Sequence, residues 1–284
     1  MYELDDQQRA AQSWFSRLRD DICSALERLE DEAAGPAPAG RFQRTAWDRP
    51  DAGGGHGGGG VMSVLKGRVF EKAGVNISTV HGEFSPEFAK QINGASDDPR
   101  FFATGISLVI HPLNPLVPAV HLNTRFLVTT RRWFGGGADL NPALPDDGQT
   151  KAFHDALRIM AGRHDPAYYP AYKKWAEDYF WVPHRNRHRG VGGIFYDHLD
   201  SGDWAKDFAF TQDVGATFLD IYPRLVREKM HQPYSAADRL TQLRYRGLYA
   251  EFNLVYDRGT TFGLKTGGNV DAILMSLPPE ARWD

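Results

Sequence analysis

Apolar residues recur every three or four positions between residues 7 and 32, with charged residues in the gaps. They are Ala11, Trp14, Phe15, Leu18, Ile22, Ala25, Leu26 and Leu29. Because this spacing places apolar side chains on one face of a helix, it predicts an amphipathic N-terminal helix within residues 1–33. The run AAGPAPAG at 33–40 ends the helix, since glycine and proline both interrupt helical structure.

The middle of the chain changes to a strand pattern, in which apolar and polar residues alternate. Strands are predicted at 74–84, 105–111, 119–129 and 131–134, with a short helix at 85–92. Helical spacing returns at 148–163, 167–180, 204–230, 235–247 and 270–276, and two further strands are predicted at 251–257 and 261–264. A central block of strands with helices before and after it predicts an α+β fold built on an antiparallel sheet.

The segment 53–60 breaks both patterns, because seven of its eight residues are glycine. It is predicted to be a flexible linker or a wide loop. A phosphate-binding loop would need Lys-Ser or Lys-Thr directly after the glycines, and Val61-Met62-Ser63 does not supply it. A run of backbone amides that approaches the anionic groups of a ligand stays open as an alternative.

Composition narrows the class of protein without changing this fold. The chain has 284 residues, of which 42% are hydrophobic and 24% charged, as is usual for a globular protein of one large domain or two small ones. The net charge is −3, whereas a general nucleic-acid-binding protein would carry a basic surplus. We therefore expect no nucleic-acid partner.

The single cysteine, Cys23, lies beside the apolar stripe of the first helix and is predicted to be a buried thiol rather than a reactive one. One cysteine allows no disulfide within the chain, which fits a reducing compartment. The acidic start of the chain has no apolar signal region, and no apolar run is long enough to cross a membrane. These features predict a cytoplasmic protein without an integral membrane segment.

The strand pair within residues 105–126 carries unusual polar residues. Side chains alternate between the two sides of a strand, so Ile106, Leu108, Ile110, Val120, Leu122, Thr124 and Phe126 are expected on one side. If the strands pair as a hairpin through residues 112–118, the other side gathers Ser107, His111, His121, Asn123 and Arg125. A solvated sheet face would also be polar, but such faces usually carry Thr, Lys and Glu. The choice of His, Asn and Arg favours a binding surface.

Further polar residues follow this strand pair. Asp139 comes just after Gly135-Gly136-Gly137 and is either a turn residue or a carboxylate presented to the N–H groups of a ligand. His154 and His184 raise the number of histidines that could hold a metal to four, with His111 and His121. Their spacing matches no tight ligand motif, and a lone helical histidine beside apolar residues is more often a packed core residue. The metal site therefore stays one of two alternatives.

Long sequence runs identify a family. The runs are GGGGVMSVLKGRVFEKAGVNIS, GISLVIHPLNPLVPAVHLNTR, WFGGGADLNP, YYPAYKKWAEDYF, HRGVGGIFYDHL, EFNLVYDRGTTFGL and ILMSLPPEARW. In these runs, which occur in the family order along about nine tenths of the chain, the sequence resembles the oxygen-dependent coproporphyrinogen III oxidases.

The resemblance implies a fold, an assembly and a reaction. The fold is a single domain, 1–284, with a large sheet of roughly seven antiparallel strands flanked by helices on both faces. The assembly is a homodimer whose interface includes the C-terminal segment, 249–284. The reaction converts two propionates of coproporphyrinogen III to vinyls in haem biosynthesis, with release of two CO₂ and formation of protoporphyrinogen IX. Dioxygen is the co-substrate, no organic cofactor is implied, and a divalent metal such as Mn²⁺ is left open.

The resemblance also assigns residues. The catalytic positions are His121 as proton donor, with Arg125 and Asp139 in substrate placement and catalysis. The substrate-contacting positions are Ser107, Asn123, Thr124, Arg125, Gly267, Gly268 and Asn269. The metal positions are His111, His121, His154 and His184. On this basis we expect Arg125 to bind a propionate, Asp139 to accept hydrogen bonds from the pyrrole N–H groups, and His121 to move protons.

Two departures from the family pattern qualify these assignments. Asn269 stands where many members have arginine, and asparagine cannot form a bidentate charged contact with a carboxylate. Backbone amides or another arginine, such as Arg258, would have to anchor that propionate. Tyr196-Asp197-His198 also differs from the usual aromatic-acidic run.

Two rival functions use the same residues. A tetrapyrrole-binding protein without catalysis would need the same pocket, but it would not consume oxygen. A histidine-ligated metallo-oxygenase acting on another substrate would lose its activity to a chelator.

Overall fold

Most strands of the chain join one antiparallel sheet in the computed structural model, which describes residues 2–51, 53–265 and 267–284. The strands of this sheet are β1 (Gln43–Pro50), β2 (His56–Leu65), β3 (Phe70–Glu83), β4 (Arg100–Pro112), β5 (Ala119–Val128), β6 (Arg132–Asn141) and β9 (Gly192–Leu199), and they lie in that order. β7 (Trp181–Val182) and β8 (Arg187–His188) form a separate two-stranded ribbon. The predicted α+β fold with a large antiparallel sheet of seven strands is confirmed.

Helices precede, interrupt and follow the strands. They are α1 (Asp6–Glu32), α2 (Pro86–Ala89), α3 (Asp147–His164), α4 (Tyr168–Tyr179), α5 (Trp204–Lys229), α6 (Ala236–Val255), α7 (Arg258–Lys265) and α8 (Val270–Leu274). Capping boxes begin α1, at Asp5 with Gln8, and α6, at Ser235 with Asp238. The helices predicted from spacing are confirmed to within a few residues, except that α6 continues to Val255.

One side of the sheet, here called the core face, is apolar. It includes Ile106, Leu108, Ile110, Val120, Leu122 and Phe126, each at most 1% exposed. The register pairs Leu108 with Leu122 and Ile110 with Val120, as the alternation predicted. α1, α3 and α5 cover this face and contribute residues such as Phe15, Phe153 and Phe218 to one apolar cluster.

Among the residues that the structure describes, the opposite side of the sheet, here called the open face, is covered at its two ends. At one end α8 lies on β3 and β4, where Asn76 donates to the carbonyl of Ala272 and His111 Nε2 lies 2.9 Å from the carbonyl of Ser276. At the other end Phe84 and Phe88, around α2, pack with Val80 and Ala103. Helices therefore flank both faces, as expected, and the middle of the open face between these covers contains Ser107, Asn123 and Arg125.

The glycine-rich segment is not a linker or a wide loop, because Gly57–Gly60 lie inside β2. Gly58, Gly59 and Gly60 pair with β3, and Gly59 and Gly60 also pair with β1. A β-carbon at Gly60 would lie 2.6 Å from the indole of Trp47 and 2.3 Å from the carbonyl oxygen of Ile77. Glycine is therefore needed at this position for close packing. The backbone groups of Gly59 and Gly60 lie in strand pairing on both sides, so they are not presented to the anionic groups of a ligand.

The strands predicted at 251–257 and 261–264 are wrong, since α6 continues to Val255, residues 256–257 connect the two helices, and 261–264 belong to α7. Alternation of Phe252, Leu254 and Tyr256 suggested a strand. In the structure Leu254 is 55% exposed, whereas Leu248 and Phe252 are both buried, and their spacing of four residues is that of one helix face. The Asp257 side chain accepts hydrogen bonds from the backbone N–H and the hydroxyl of Thr260. These bonds are typical of a residue that caps the N-terminus of a helix, here α7. The pattern also ended β6 too early, and it did not predict β1, β2, β7, β8 or β9.

Candidate active site

Arg125 stands on the open face between two glycines. The register places Gly105 of β4 and Gly135 of β6 directly beside it. Its Nη1 donates to Asn123 Oδ1 at 3.0 Å, and its Nη2 lies 2.8 Å from Asp197 Oδ2. The Arg125 side chain is 29% exposed, so part of the guanidinium can reach a ligand on the sheet.

Asp197 reaches Arg125 because β9 is irregular at that point. The pairing of β6 with β9 shifts between Phe134 and Gly136, and His198 adopts a left-handed φ of 54°. The backbone N–H of His198 donates to Asp197 Oδ1 at 3.0 Å, which leaves Oδ2 for Arg125. A β-carbon at Gly135 would lie 2.5 Å from Asp197 Oδ1, so this ion pair requires glycine beneath it.

His121 and Asp139 form a hydrogen-bonded pair across β5 and β6. The two residues are register partners, and His121 Nδ1 lies 2.7 Å from Asp139 Oδ1. Burial raises the pKa of Asp139, but the Arg189 charge and the His121 hydrogen bond outweigh it and lower the pKa to about 2. An ionised carboxylate only accepts, so Nδ1 must donate and Nε2 is left for a ligand.

Asp139 is enclosed on its other side. Its Oδ2 accepts from Arg189 Nη2 at 2.7 Å and from Asn141 Nδ2 at 2.9 Å, and its side chain is 1% exposed. The expectation that Asp139 contacts pyrrole N–H groups is therefore not met, because both carboxylate oxygens are occupied and buried. Asp139 contacts His121 instead, in the arrangement by which a buried acid orients a catalytic imidazole.

Comparison with known proteins adds to this geometry. The sequence profile of the family described as coproporphyrinogen III oxidase matches residues 10–284. A Rickettsia bellii (strain RML369-C) protein named oxygen-dependent coproporphyrinogen-III oxidase is 54% identical over 274 residues, 95% of this chain and 96% of the relative. The chain belongs to the coproporphyrinogen III oxidase family.

Other relatives of this oxidase family carry the same name. The Rickettsia rickettsii (strain Sheila Smith) protein is 54% identical, and the Rickettsia akari (strain Hartford) protein 53%, each over 275 residues and 96% of both chains. The resemblance found in the sequence is confirmed. No helix in the described ranges 2–51, 53–265 and 267–284 is long and apolar enough to cross a membrane.

The four histidines considered as metal ligands of this oxidase occupy separate environments. His154 lies 3.0 Å from both the Tyr169 hydroxyl and the Val191 carbonyl, and His184 lies between the Tyr256 hydroxyl and Glu251. His111 is 1% exposed, and its burial lowers its pKa to about 3. Among the described residues no group of three or more His, Cys, Asp or Glu side chains is arranged for a metal ion. The predicted ligands do not fit one divalent cation.

The predicted substrate contacts divide between the two faces. Ser107 and Asn123 are register partners on the open face, beside Arg125. Thr124 points the other way and is fully buried on the core face, so its side chain does not reach this site. Strand alternation makes this unavoidable, because Asn123 and Arg125 flank it.

The run 267–269 forms the turn that begins α8. Gly267 has a φ of 72°, and the N–H of Gly268 donates to the Gly263 carbonyl. Asn269 caps α8, since its Oδ1 accepts from the backbone N–H of Ala272 at 2.9 Å. Asn269, which stands where arginine was expected, thus has a helix-capping role. Arg258, the other arginine considered for this anchor, has its guanidinium 5.9 Å from the ring centre of Tyr179.

Sequence reasoning missed Arg189, Asp197 and Asn253. Arg189 lies in the cationic run PHRNRHRG, where nothing local distinguishes it from its exposed neighbours. Asp197 could have been found, because the strand Gly192–Leu199 alternates and puts Phe195 and Asp197 on one side. Asn253 Oδ1 accepts from Arg189 Nη1 at 2.9 Å, a contact between residues 64 positions apart.

Proposed function

We propose that this protein catalyses the oxygen-dependent oxidative decarboxylation of coproporphyrinogen III to protoporphyrinogen IX in haem biosynthesis. Each of two propionates loses CO₂ and becomes a vinyl group. The hydrogen that leaves the propionate β-carbon, together with two electrons, is transferred to dioxygen. The observation that carries the proposal is that Arg125 and an oriented His121 share one open sheet face in a chain 54% identical to proteins named for this reaction.

Arg125 binds a propionate of the substrate. Coproporphyrinogen carries four carboxylates, and a guanidinium offers a planar pair of donors to one of them. Gly105 and Gly135 on the neighbouring strands carry no side chains that would hold a macrocycle away from the sheet. Asn123 and Asp197 hold the guanidinium in place by hydrogen bonds, which reduces the entropy lost when substrate binds.

His121 transfers the proton. Asp139 fixes the tautomer, so Nε2 is the atom that accepts the pyrrole N–H proton when dioxygen attacks the ring. The peroxide formed on the ring then takes the hydrogen of the propionate β-carbon, and the bond to the carboxylate breaks, so that CO₂ leaves and the vinyl group forms. The ring C–O bond breaks in the same step, so the reduced oxygen departs as hydroperoxide with the two electrons, and His121 returns its proton to the pyrrole nitrogen. General acid–base catalysis of this kind contributes about 10²–10⁴-fold to a rate.

An oxygen-electrode assay tests the reaction. Purified protein and anaerobically prepared coproporphyrinogen III should consume oxygen and form protoporphyrinogen, identified by fluorescence after oxidation. Binding without oxygen consumption would instead make the protein a tetrapyrrole carrier. Loss of the activity to a chelator, restored by a divalent metal, would favour the metallo-oxygenase.

Arg125→Ala tests the site within the same assay. The variant should fold normally and lose most of its kcat/KM, because the substrate carboxylate loses its charged partner. Arg132→Ala is the matched control, since Arg132 on the adjacent strand pairs with Asp5 at the surface, away from the site. Equal activities of the two variants would remove Arg125 from the site.

The functional unit is proposed to be a homodimer that uses the C-terminal segment 249–284. Several large apolar side chains of this segment are exposed, namely Leu254, Val255, Leu264, Val270 and Trp283. Exposed apolar side chains on neighbouring helices are typical of a surface that a second copy covers. Sedimentation should give a dimer, and Leu254→Asp with Val255→Asp should yield monomers; a wild-type monomer would refute the proposal.

The compartment is proposed to be the cytoplasm. The single cysteine, Cys23, is free and buried, and burial raises the pKa of its thiol to about 12. A protein without disulfides suits a reducing compartment. Cell fractionation would test this proposal, and recovery of the protein with secreted markers would contradict it.

A further inference from the structure

Arg189 is a buried cation directly behind the His121–Asp139 pair. It is 2% exposed and follows the ribbon strand β8. Its Nη2 donates to Asp139 Oδ2 and its Nη1 to Asn253 Oδ1. Burial alone would lower the pKa of Arg189, but the Asp139 charge raises it, so the guanidinium stays protonated.

Aromatic rings enclose this guanidinium. Its carbon lies 4.3 Å from the ring centre of Phe180 and 4.7 Å from those of Tyr249 and Phe252. Cation–π contacts of this kind stabilise a desolvated arginine and restrict where its planar group can lie. Phe180 also contacts His121 edge to face, with ring centres 6.2 Å apart. One aromatic wall therefore touches both the guanidinium and the imidazole.

Asp139 depends on Arg189 for its charge and its orientation. A lone buried carboxylate would be protonated rather than ionised, since burial disfavours the charged form. A protonated Asp139 could donate a proton, and the single tautomer of His121 would no longer be enforced. Arg189 and Asn141 hold Oδ2, which leaves Oδ1 aligned with His121 Nδ1.

We propose that Arg189 is a positioning residue that sets the tautomer and ring orientation of His121 by holding the Asp139 carboxylate in place, an inference that rests on the proposed function. It acts without touching substrate, because it is buried behind Asp139. Arg189 should therefore govern kcat and have little effect on KM.

Arg189→Lys is the first test, because lysine keeps the charge but cannot reach both Asp139 and Asn253 with a planar fork. A small displacement of a catalytic group costs up to about 10²-fold, so kcat should fall by about tenfold or more, with KM within about threefold. Arg246→Met is the matched control: Arg246 is 3% exposed and paired with Glu71, but it does not contact Asp139. It should lower thermal stability and leave kcat of the folded enzyme unchanged.

A spectroscopic readout separates positioning from folding and from the reaction itself. The short His121 Nδ1–H contact with an ionised carboxylate should give a strongly deshielded imidazole proton in ¹⁵N-histidine-labelled enzyme, identified by its loss in His121→Asn. Arg189→Lys should remove or shift this resonance, and Arg246→Met should keep it. If the wild-type enzyme does not oxidise coproporphyrinogen, the proposed function has failed, and this resonance alone still decides the role of Arg189.

A double-mutant comparison with Asp139→Asn completes the test. If Arg189 acts through Asp139, the double variant should be no slower than Asp139→Asn alone, because the two losses share one cause. If Arg189→Lys does not fold, Asn253→Ala, which keeps both charges, takes its place in the comparison. Multiplicative losses, or a folded variant with wild-type kcat and an unchanged resonance, would overturn the proposal.

Discussion

The two faces of the sheet differ in nearly every physical respect although the same strands build both. Leu122 is fully buried among aliphatic and aromatic side chains, while its sequence neighbour His121 reaches the open face and a buried ion pair. Burial of apolar surface stabilises the core face. The open face instead contains charged groups, each held by partners. Adjacent residues of one strand thus have different roles, since Leu122 stabilises the fold and His121 belongs to the candidate active site.

Charge is tolerated on the open face because it is balanced locally. Asp139 and Arg189 are almost completely buried, and each finds its counter-ion within 2.7 Å. An unpaired charge at that depth would cost several kcal/mol, so removal of either partner disturbs the other. On the core face, by contrast, a substitution alters packing volume and leaves the charges unchanged.

The largest effect is expected from His121→Asn. Loss of the proton-transfer group should reduce kcat by about 10²–10⁴-fold, with little change in thermal stability because the asparagine amide can still donate a hydrogen bond to Asp139. Steady-state kinetics and a melting curve check this. A variant with wild-type kcat would show that the open face does not carry the proton transfer.

The neighbouring substitution Leu122→Ala should give the opposite result. A cavity in the core face should lower the free energy of unfolding by about 2–5 kcal/mol. The kcat per folded molecule should stay at the wild-type value. Urea unfolding and active-site titration measure the two quantities, and a loss of kcat without loss of stability would contradict the separation of the faces.

His111 should make the covered end of the open face sensitive to acid. Burial lowers its pKa to about 3, so the native state keeps the ring neutral while the unfolded state binds a proton below about pH 6.5. The unfolded state then holds more protons, and stability falls as pH falls, by about 2 kcal/mol between pH 6.5 and about pH 5.

His111→Asn is the comparison for that acid effect. Urea unfolding at about pH 7 and about pH 5 should show a smaller loss of stability in the variant than in the wild type. Parallel losses in the two proteins would mean that His111 is protonated in the native state.

A smaller effect is expected from Asp197→Asn. The neutral side chain can still accept from the backbone of His198, but it no longer offsets the charge of Arg125. Substrate carboxylate should then bind more tightly, with KM lower by about two- to fivefold, as is usual for a partly exposed ion pair. Asp5→Asn, at the surface pair with Arg132, is the control. A higher KM would show that Asp197 helps to hold the substrate.

The smallest effect is expected from Thr124→Val. Within the described part of the chain the buried Thr124 hydroxyl on the core face has no hydrogen-bond partner, so its removal should leave stability unchanged or raise it by about 1 kcal/mol. KM should not change, because the side chain does not reach the open face. A changed KM would restore Thr124 as a substrate contact.

The parts of the structure that local periodicity controls were predictable from the sequence. Alternation within residues 105–126 placed Ser107, His121, Asn123 and Arg125 on one side of the sheet, because a strand has only two sides. The same rule, applied to Thr124 alone, would have excluded it as a substrate contact. The family resemblance added the reaction, which no spacing in the chain encodes.

The parts that depend on distant contacts were not predictable. Asp139 was expected to meet substrate, but Arg189, 50 positions later, encloses it. The glycines of 57–60 suggested flexibility, because the sequence does not show that Trp47 packs against Gly60. Helix α6 was cut short, since alternation of Phe252, Leu254 and Tyr256 imitates a strand within a helical segment.

Helix α6 also affects when the enzyme becomes competent during its synthesis. Every strand of the large sheet precedes Ala236, and the helix then supplies Tyr249, Phe252 and Asn253 around Arg189. Because chains fold from the N-terminus as they leave the ribosome, the sheet can form while the surroundings of Arg189 are still exposed to solvent. The water-excluding environment of the Arg189–Asp139 pair arises only when the segment that begins with α6 docks. A nascent chain that stops before α6 would present the sheet to a tetrapyrrole but could not convert this substrate to product.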